Sequence, residues 1–287
     1  MTTAPHRTDP SIALGAHPAS RMAVRTALLG KRAPTAAGQL VVVGLGIQWA
    51  GQTTLAAKRA IEGADSVLFA LADPWAARWV RSLHPRAESL AYPREGGTPR
   101  AAIYRNMVAR ILGELKDGKR VCAVFYGSAT VLTDPAHEAV RQARNAGYAA
   151  RMLPGVSSLE CLFADLEIDP GVCGCSLYEA ENFLVRARPV DTSAHLVLCQ
   201  IALIGNRSAY DADDSTTIRR GLHVLGERLA SLYPREHQAI LYEAAAHPLG
   251  RARNEPVALG HLEDAKISAV STLYVPPAPV ETTKESE

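Results

Sequence analysis

Between residues 39 and 155 the chain alternates short, nearly unbroken apolar runs with helix-length amphipathic stretches, and every run stops at small or turn-forming residues. Leu40-Val41-Val42-Val43 ends at Gly44, the run 66–71 ends at Ala72-Asp73-Pro74, the run 121–126 ends at Gly127-Ser128, and the run 150–153 ends at Pro154-Gly155. Helices are predicted over 53–64 and 135–145, with Gly63 and Gly147 near their ends. A strand with one wet face alternates polar and apolar residues, whereas a strand covered on both faces is apolar throughout. The rhythm therefore predicts a parallel sheet with helices on both sides. In such sheets ligands lie outside the carboxyl ends of the strands, so the loops after the runs are the places to search.

Beyond residue 170 the rhythm changes. Strands are predicted at 176–180, 196–203, 239–243 and 271–275, with one long helix over 216–232. The expected fold is α/β in two domains, a parallel N-terminal sheet over 39–158 and a mixed C-terminal sheet over 159–278. Residues 1–38 read as a leader without a fixed fold, apart from an amphipathic turn or two at 22–29, and 279–287 as a loose tail.

Charge excludes some classes. With 31 basic and 29 acidic residues the net charge is +2, which gives no general pull toward nucleic acid or an anionic membrane. The first 20 residues lack the apolar segment of a secretion signal, and no apolar stretch is long enough to cross a bilayer. The five cysteines follow no disulfide framework, and Cys173-Gly174-Cys175 lacks a second pair at zinc-finger spacing, so no metal is expected. A reduced, cytoplasmic protein is the expectation.

Gly44-Leu45-Gly46 follows the first run and suggests a dinucleotide fingerprint, but Trp49 stands where its third glycine belongs. A plain tight turn explains the pair of glycines equally well. Tyr126-Gly127-Ser128-Ala129-Thr130 and Pro154-Gly155-Val156-Ser157-Ser158 place small, hydroxyl-bearing residues after two further runs. Small residues leave room, and hydroxyls and backbone N–H groups hold a ribose, a carboxylate or an adenine edge. A phosphate normally has Lys or Arg beside the glycines, and neither loop contains one. The pocket is thus built for a nearly neutral nucleoside, which points to S-adenosylmethionine. Asp73 has two readings of equal weight, a grip on a ribose or an ordinary turn after a strand.

The order Val-Gly-Leu-Gly-Ile (43–47), Ala-Asp-Pro (72–74), Phe-Tyr-Gly-Ser (125–128) and Leu-Pro-Gly-Val-Ser-Ser (153–158) resembles the tetrapyrrole (corrin and porphyrin) methylases. Within that fold, Gln52-Thr53-Thr54, Val124-Phe125-Tyr126-Gly127, Cys161-Leu162-Phe163-Ala164-Asp165-Leu166, Ile168-Asp169-Pro170-Gly171, Tyr178-Glu179-Ala180 and Leu273-Tyr274-Val275-Pro276-Pro277 are similar to the borosin peptide backbone α-N-methyltransferases. The resemblance spans about residues 39–278. It implies a homodimer with the cofactor between two α/β domains, against Gly46, Ile47, Tyr126, Gly127, Ser128, Ser157, Ser158 and Gln200, and S-adenosylhomocysteine as product. It also implies a peptide amide as methyl acceptor. Fungal members carry that peptide as a C-terminal extension, whereas this sequence ends in Glu-Thr-Thr-Lys-Glu-Ser-Glu, so a separate precursor is the expected partner.

An amide nitrogen is a poor nucleophile because its lone pair is delocalised into the carbonyl. Its methylation needs a base for the N–H proton or a cation for the developing imidate oxygen. Tyr92, Arg100 and Tyr104 supply such groups, and borosin enzymes are similar in using an arginine and tyrosines in this region. Thr98-Pro99 reads as a helix start with Pro99 at the first helical position, which sets Arg100 and Tyr104 four residues apart on one face. The opposing reading makes Tyr104, Val108, Ile111 and Leu115 a core stripe and Arg100 a solvated first-turn residue. Two other functions compete with peptide methylation. One is carbon methylation of a tetrapyrrole in cobalamin or siroheme synthesis, which would want a basic trough for its carboxylates. The other is a cofactor-binding scaffold without chemistry.

Overall fold

The structure is a computed structural model that describes residues 37–90, 98–206 and 215–279. Tyr92, the segment 22–29 and residues 280–287 lie outside the described residues.

The first half contains strands β1 (Gln39–Gly44), β2 (Ser66–Ala70), β3 (Glu88–Ser89), β4 (Arg120–Phe125) and β5 (Ala149–Met152). They form one sheet in the order β3-β2-β4-β1-β5, and every pairing is parallel. Helices α1 (Leu55–Glu62), α2 (Pro74–Leu83), α3 (Arg100–Lys116) and α4 (Asp134–Asn145) connect the strands. Both faces are buried, as the unbroken apolar runs require. Along β4, Val121, Ala123 and Phe125 pack with Val108, Ile111 and Leu115 of α3 and Ala136 and Ala139 of α4. The alternate residues Cys122 and Val124 pack on the opposite side with Ala57 and Ile61 of α1 and Ala76, Ala77 and Val80 of α2. Each fully buried Leu, Ile or Phe in these layers contributes about 1.5–3 kcal/mol.

Local chemistry sets the helix starts. Thr54 caps α1 by accepting the Ala57 N–H at 3.1 Å, and Gly63 follows its last turn. Asp73 caps α2 by accepting the Trp75 N–H at 2.9 Å, with Pro74 as the first helical residue. The expected Pro99 start shifts by one residue: Pro99 is the cap, makes no side-chain bond, and Arg100 opens α3.

Helix α5 (Ser158–Asp165) follows β5 and leads into the second half. That half holds α6 (Pro170–Cys173), β6 (Cys175–Glu179), α7 (Ala180–Val185), β7 (His195–Cys199), α8 (Ser215–Ala230), β8 (Gln238–Glu243), β9 (Arg253–Ala258) and β10 (Thr272–Val275). Its sheet has the order β6-β7-β10-β8-β9, with β6 and β7 parallel and the other pairs antiparallel. The fold is therefore α/β with a parallel sheet followed by a mixed one. Leu196, Leu198, Leu241 and Leu273 face Leu222, Leu225 and Leu229 of α8. Val197, Cys199, Tyr242 and Tyr274 cover the other face with Leu162 of α5.

Two expectations change here. The strand predicted over 196–203 stops at Cys199, because Gln200 adopts a left-handed conformation (φ 59°, ψ 35°) and residues 201–203 form a 3₁₀ turn. The core stripe of α3 runs through Ile103, Val108, Ile111 and Leu115, and Tyr104 stands beside it only half-buried.

The strand order places a crevice. The connection from β1 to β2 passes over β4 in one direction, and the connection from β4 to β5 passes over β1 in the other. The loops after β1 and β4 thus part from neighbouring strand ends, which is where a sheet of this type opens a ligand site.

Candidate active site

The two parting loops are joined to each other. Gly46 and Gly127 form an antiparallel bridge, each N–H donating to the other's carbonyl at 3.1 Å. Both residues have positive φ, 84° and 64°, a conformation that favours glycine. A Cβ on Gly46 would lie 2.6 Å from Cβ of Gln52, and one on Gly44 would lie 2.2 Å from the Gly127 carbonyl oxygen. The backbones of β1 and β4 therefore approach as closely as glycine permits, and the pair of glycines is more than a plain turn. No third glycine is needed: Trp49 is partly buried against the core of the first half and lays its ring edge-on to His247, with centroids 6.4 Å apart.

Gln52 holds the loop from below. Its side-chain oxygen accepts the backbone N–H groups of Ile47 (2.9 Å) and Gln48 (3.0 Å), and its amide nitrogen donates to the Cys161 sulfur at 3.4 Å. The Thr53 hydroxyl donates to the Leu45 carbonyl at 2.9 Å. Cys161 sits on α5, and one helical turn later Asp165 accepts the Tyr242 hydroxyl at 2.7 Å. Tyr242 is fully buried, and burial together with the Asp165 carboxylate drives its hydroxyl pKa upward.

Of the expected cofactor residues, Gly46 and Gly127 form the bridge, and the Ile47 side chain lies beside Gly127. Tyr126 follows β4 and is 41% exposed. Burial of the rest of its ring, with Cys161 and Asp73 nearby, pushes its hydroxyl up to about 12. Asp73 thus stands at the same edge, although its carboxylate is engaged in capping α2. Ser128 is buried, its hydroxyl paired with that of Thr130 at 2.8 Å. Ser157 is buried too, and its side chain is taken up in a capping box with Glu160, to which it bonds through both N–H and hydroxyl. Ser158 is the first residue of α5 and is half-buried. Gln200 ends β7 in its left-handed conformation, which costs a non-glycine residue about 1–3 kcal/mol.

Arg100 and Tyr104 form a separate element. Arg100 reaches out of α3 and donates to the Asn206 carbonyl at 2.6 Å, linking the first half to the turn after β7. The Tyr104 pKa is raised rather than lowered: burial outweighs the favourable field of Arg100, and Asp134 adds to the rise. The adjacent guanidinium therefore offsets only part of the burial cost, and the phenol is protonated at neutral pH. Among the described residues no group of three or more His, Cys, Asp or Glu is placed to hold a metal, and no helix is long and apolar enough to cross a membrane.

A model of the family "Tetrapyrrole (Corrin/Porphyrin) Methylases" matches residues 39–252, most of the chain and all of the elements that build the crevice. The chain belongs to the tetrapyrrole methylases. Among curated relatives it is 38% identical over 251 residues to the methyltransferase/ribosomally synthesized cyclic peptide dendrothelin A precursor of Dendrothele bispora, covering 85% of this chain and 58% of that protein. It is also 38% identical over 249 residues to the methyltransferase/ribosomally synthesized type I borosin cyclic peptide precursor of Coprinopsis marcescibilis, covering 84% and 62%. The chain thus spans about three fifths of the length of these relatives. Among solved structures, uroporphyrin-III C-methyltransferase of Thermus thermophilus complexed with S-adenosyl homocysteine superposes with a TM-score of 0.56 at 16% identity, over 83% of this chain and 92% of that one. That likeness is one of fold.

Sequence reasoning missed Tyr242 and met Gln52, Cys161 and Asp165 only within longer motifs. Gln52 and Cys161 are 109 residues apart and Asp165 and Tyr242 are 77 apart, so no local spacing joins them.

Proposed function

We propose that this tetrapyrrole methylase binds S-adenosylmethionine between its two halves and transfers the methyl group to backbone amides of a peptide. The observation that carries the cofactor is the glycine bridge: a backbone cradle closed so tightly that Gly44 and Gly46 leave no room for a Cβ, in loops without a basic side chain. Such a cradle fits a nucleoside bearing a sulfonium and offers nothing to a pyrophosphate. The complex of a Thermus methyltransferase of like fold with S-adenosyl homocysteine supports the same choice. Gly46, Ile47, Asp73, Tyr126, Gly127, Ser128, Ser157, Ser158 and Gln200 would surround the cofactor. The relatives that join a methyltransferase to a ribosomal cyclic-peptide precursor support the peptide as acceptor.

Bound S-adenosylmethionine supplies an electrophilic methyl carbon. On the acceptor side, Tyr104 as phenolate would take the amide proton, leaving the nitrogen lone pair to bond the methyl carbon as its bond to sulfur breaks and S-adenosylhomocysteine departs. Arg100, on the same helix face, stabilises the charge that develops on the amide oxygen and assists ionisation of Tyr104. Tyr92 is the further tyrosine proposed for this acceptor region. The chain acts as a homodimer in this reading, supported by the exposed apolar residues Leu177 on the edge strand β6 and Val172 on α6 before it.

The test is mass spectrometry of synthetic precursor peptides incubated with the protein and S-adenosylmethionine. Mass gains of whole methyl groups that fragment to backbone nitrogens are expected. Methylation of uroporphyrinogen in place of peptide would move the acceptor to a tetrapyrrole, and S-adenosylhomocysteine binding without turnover on either substrate would leave a scaffold.

A further inference from the structure

Four consecutive backbone N–H groups follow the body of β1, and all four already have protein acceptors. Leu45 donates to Phe125 (2.9 Å), Gly46 to Gly127 (3.1 Å), and Ile47 and Gln48 both to the side-chain oxygen of Gln52 (2.9 and 3.0 Å). A glycine-rich loop that binds phosphate does the opposite, aiming successive N–H groups at the ligand. The first two donors are tied by the sheet and the bridge. The other two are tied by one side chain, which a substitution can remove.

We propose that Gln52 is a specificity-determining and positioning residue: by capping the Ile47 and Gln48 N–H groups it converts a potential anion nest into a cradle for an uncharged or cationic ligand. This rests on the cofactor reading above. The side chain is suited to the task for a stated reason. A carbonyl oxygen has two lone pairs and accepts both donors, while the amide nitrogen remains to donate to Cys161 at 3.4 Å and so anchors the cap to α5. Gln52 is also packed directly beneath Gly46, where a Cβ would meet it at 2.6 Å, so cap and bridge fix the same short backbone.

Calorimetry of S-adenosylhomocysteine and of ADP against wild type, Gln52→Ala, Gln52→Glu and Cys161→Ala tests the proposal, with circular dichroism reporting the fold. Wild type should bind S-adenosylhomocysteine and reject ADP. Gln52→Ala leaves two part-buried donors uncapped and should lose about tenfold or more in S-adenosylhomocysteine affinity, raising KM for S-adenosylmethionine more than it lowers kcat. Gln52→Glu retains an acceptor for both N–H groups and should recover most of that affinity, and Cys161→Ala should cost less than Gln52→Ala. A folded Gln52→Ala within twofold of wild type overturns the proposal, as does a Gln52→Glu no better than Gln52→Ala. A Cys161→Ala loss as large as that of Gln52→Ala shifts the effect to the α5 contact and overturns it too, as does wild-type binding of ADP. Failure of wild type to bind S-adenosylhomocysteine at all would instead sink the cofactor reading itself.

Discussion

The crevice after β1 and β4 and the face of α3 that carries Arg100 and Tyr104 are built on opposite plans. In the crevice the shape is made by backbone: two strands closed by a glycine bridge, with side chains such as Gln52 and Thr53 serving the main chain. On α3 the proposed chemistry would rest on side chains projecting from a regular helix, which the bond from Arg100 to Asn206 ties to the second half. Under the proposed function, the contrast predicts that cofactor binding and methyl transfer can be separated by substitution.

The sharpest test of that separation is Tyr104→Phe, expected to lower kcat by about 100- to 10,000-fold while calorimetry finds unchanged S-adenosylhomocysteine affinity. A parallel loss of affinity would erase the distinction between the two regions. Because burial raises the Tyr104 pKa, the phenolate is the minor form at neutrality, so wild-type turnover should rise with pH toward and beyond 10, and the variant should lose that slope. In the crevice, Gly44→Ala forces a Cβ onto the Gly127 carbonyl and is expected to cost about 1–3 kcal/mol in stability and most of the cofactor affinity. Gly155→Ala is the contrasting control, since its Cβ would meet its nearest atoms at 3.5 Å, an ordinary contact, and thermal melts should barely move. Tyr242→Phe removes the hydroxyl that bonds Asp165 and should cost about 1 kcal/mol, read as a lowered melting temperature with kcat nearly intact.

The smallest effect lies at the edges of the pH range. The Arg120 guanidinium, bonded to Asp65 at 2.7 Å, holds that carboxyl at about 2, below its ordinary 3.8. A depressed acid adds stability above its unfolded pKa, so this contribution should fade as pH falls from about 4 toward 2. Tyr126, at about 12 against an ordinary 10.0, acts in reverse: folding favours the neutral phenol, and stability should decline as pH rises from about 10 to 12. Melting temperatures across both ranges check the two signs, and Asp65→Asn should flatten only the acid limb.

Much of the first half was legible in sequence because a parallel sheet covered on both faces writes itself as unbroken apolar runs. β1, β2, β4 and β5 lie within a residue or two of those runs. Helix α2 was missed although Asp73-Pro74 is a helix-start signal, because the same pair also reads as a turn. β9 was missed because Arg253-Asn254-Glu255-Pro256 is polar and contains proline, which an edge strand tolerates and an inner strand does not. The overlong prediction at 196–203 failed at Gln200, since nothing local tells that a glutamine will take a left-handed turn after an apolar strand. In the crevice the glycines and hydroxyls announced themselves, whereas Gln52–Cys161 and Tyr242–Asp165 depend on the second half folding back onto α5.

The closeness of Gly44 to the Gly127 carbonyl has an evolutionary side. A grip made from main-chain atoms changes little when most neighbouring side chains mutate, but it tolerates almost no drift at the glycines themselves. Descendants of such a fold are therefore expected to keep Gly44 and Gly46 while the side chains around them drift.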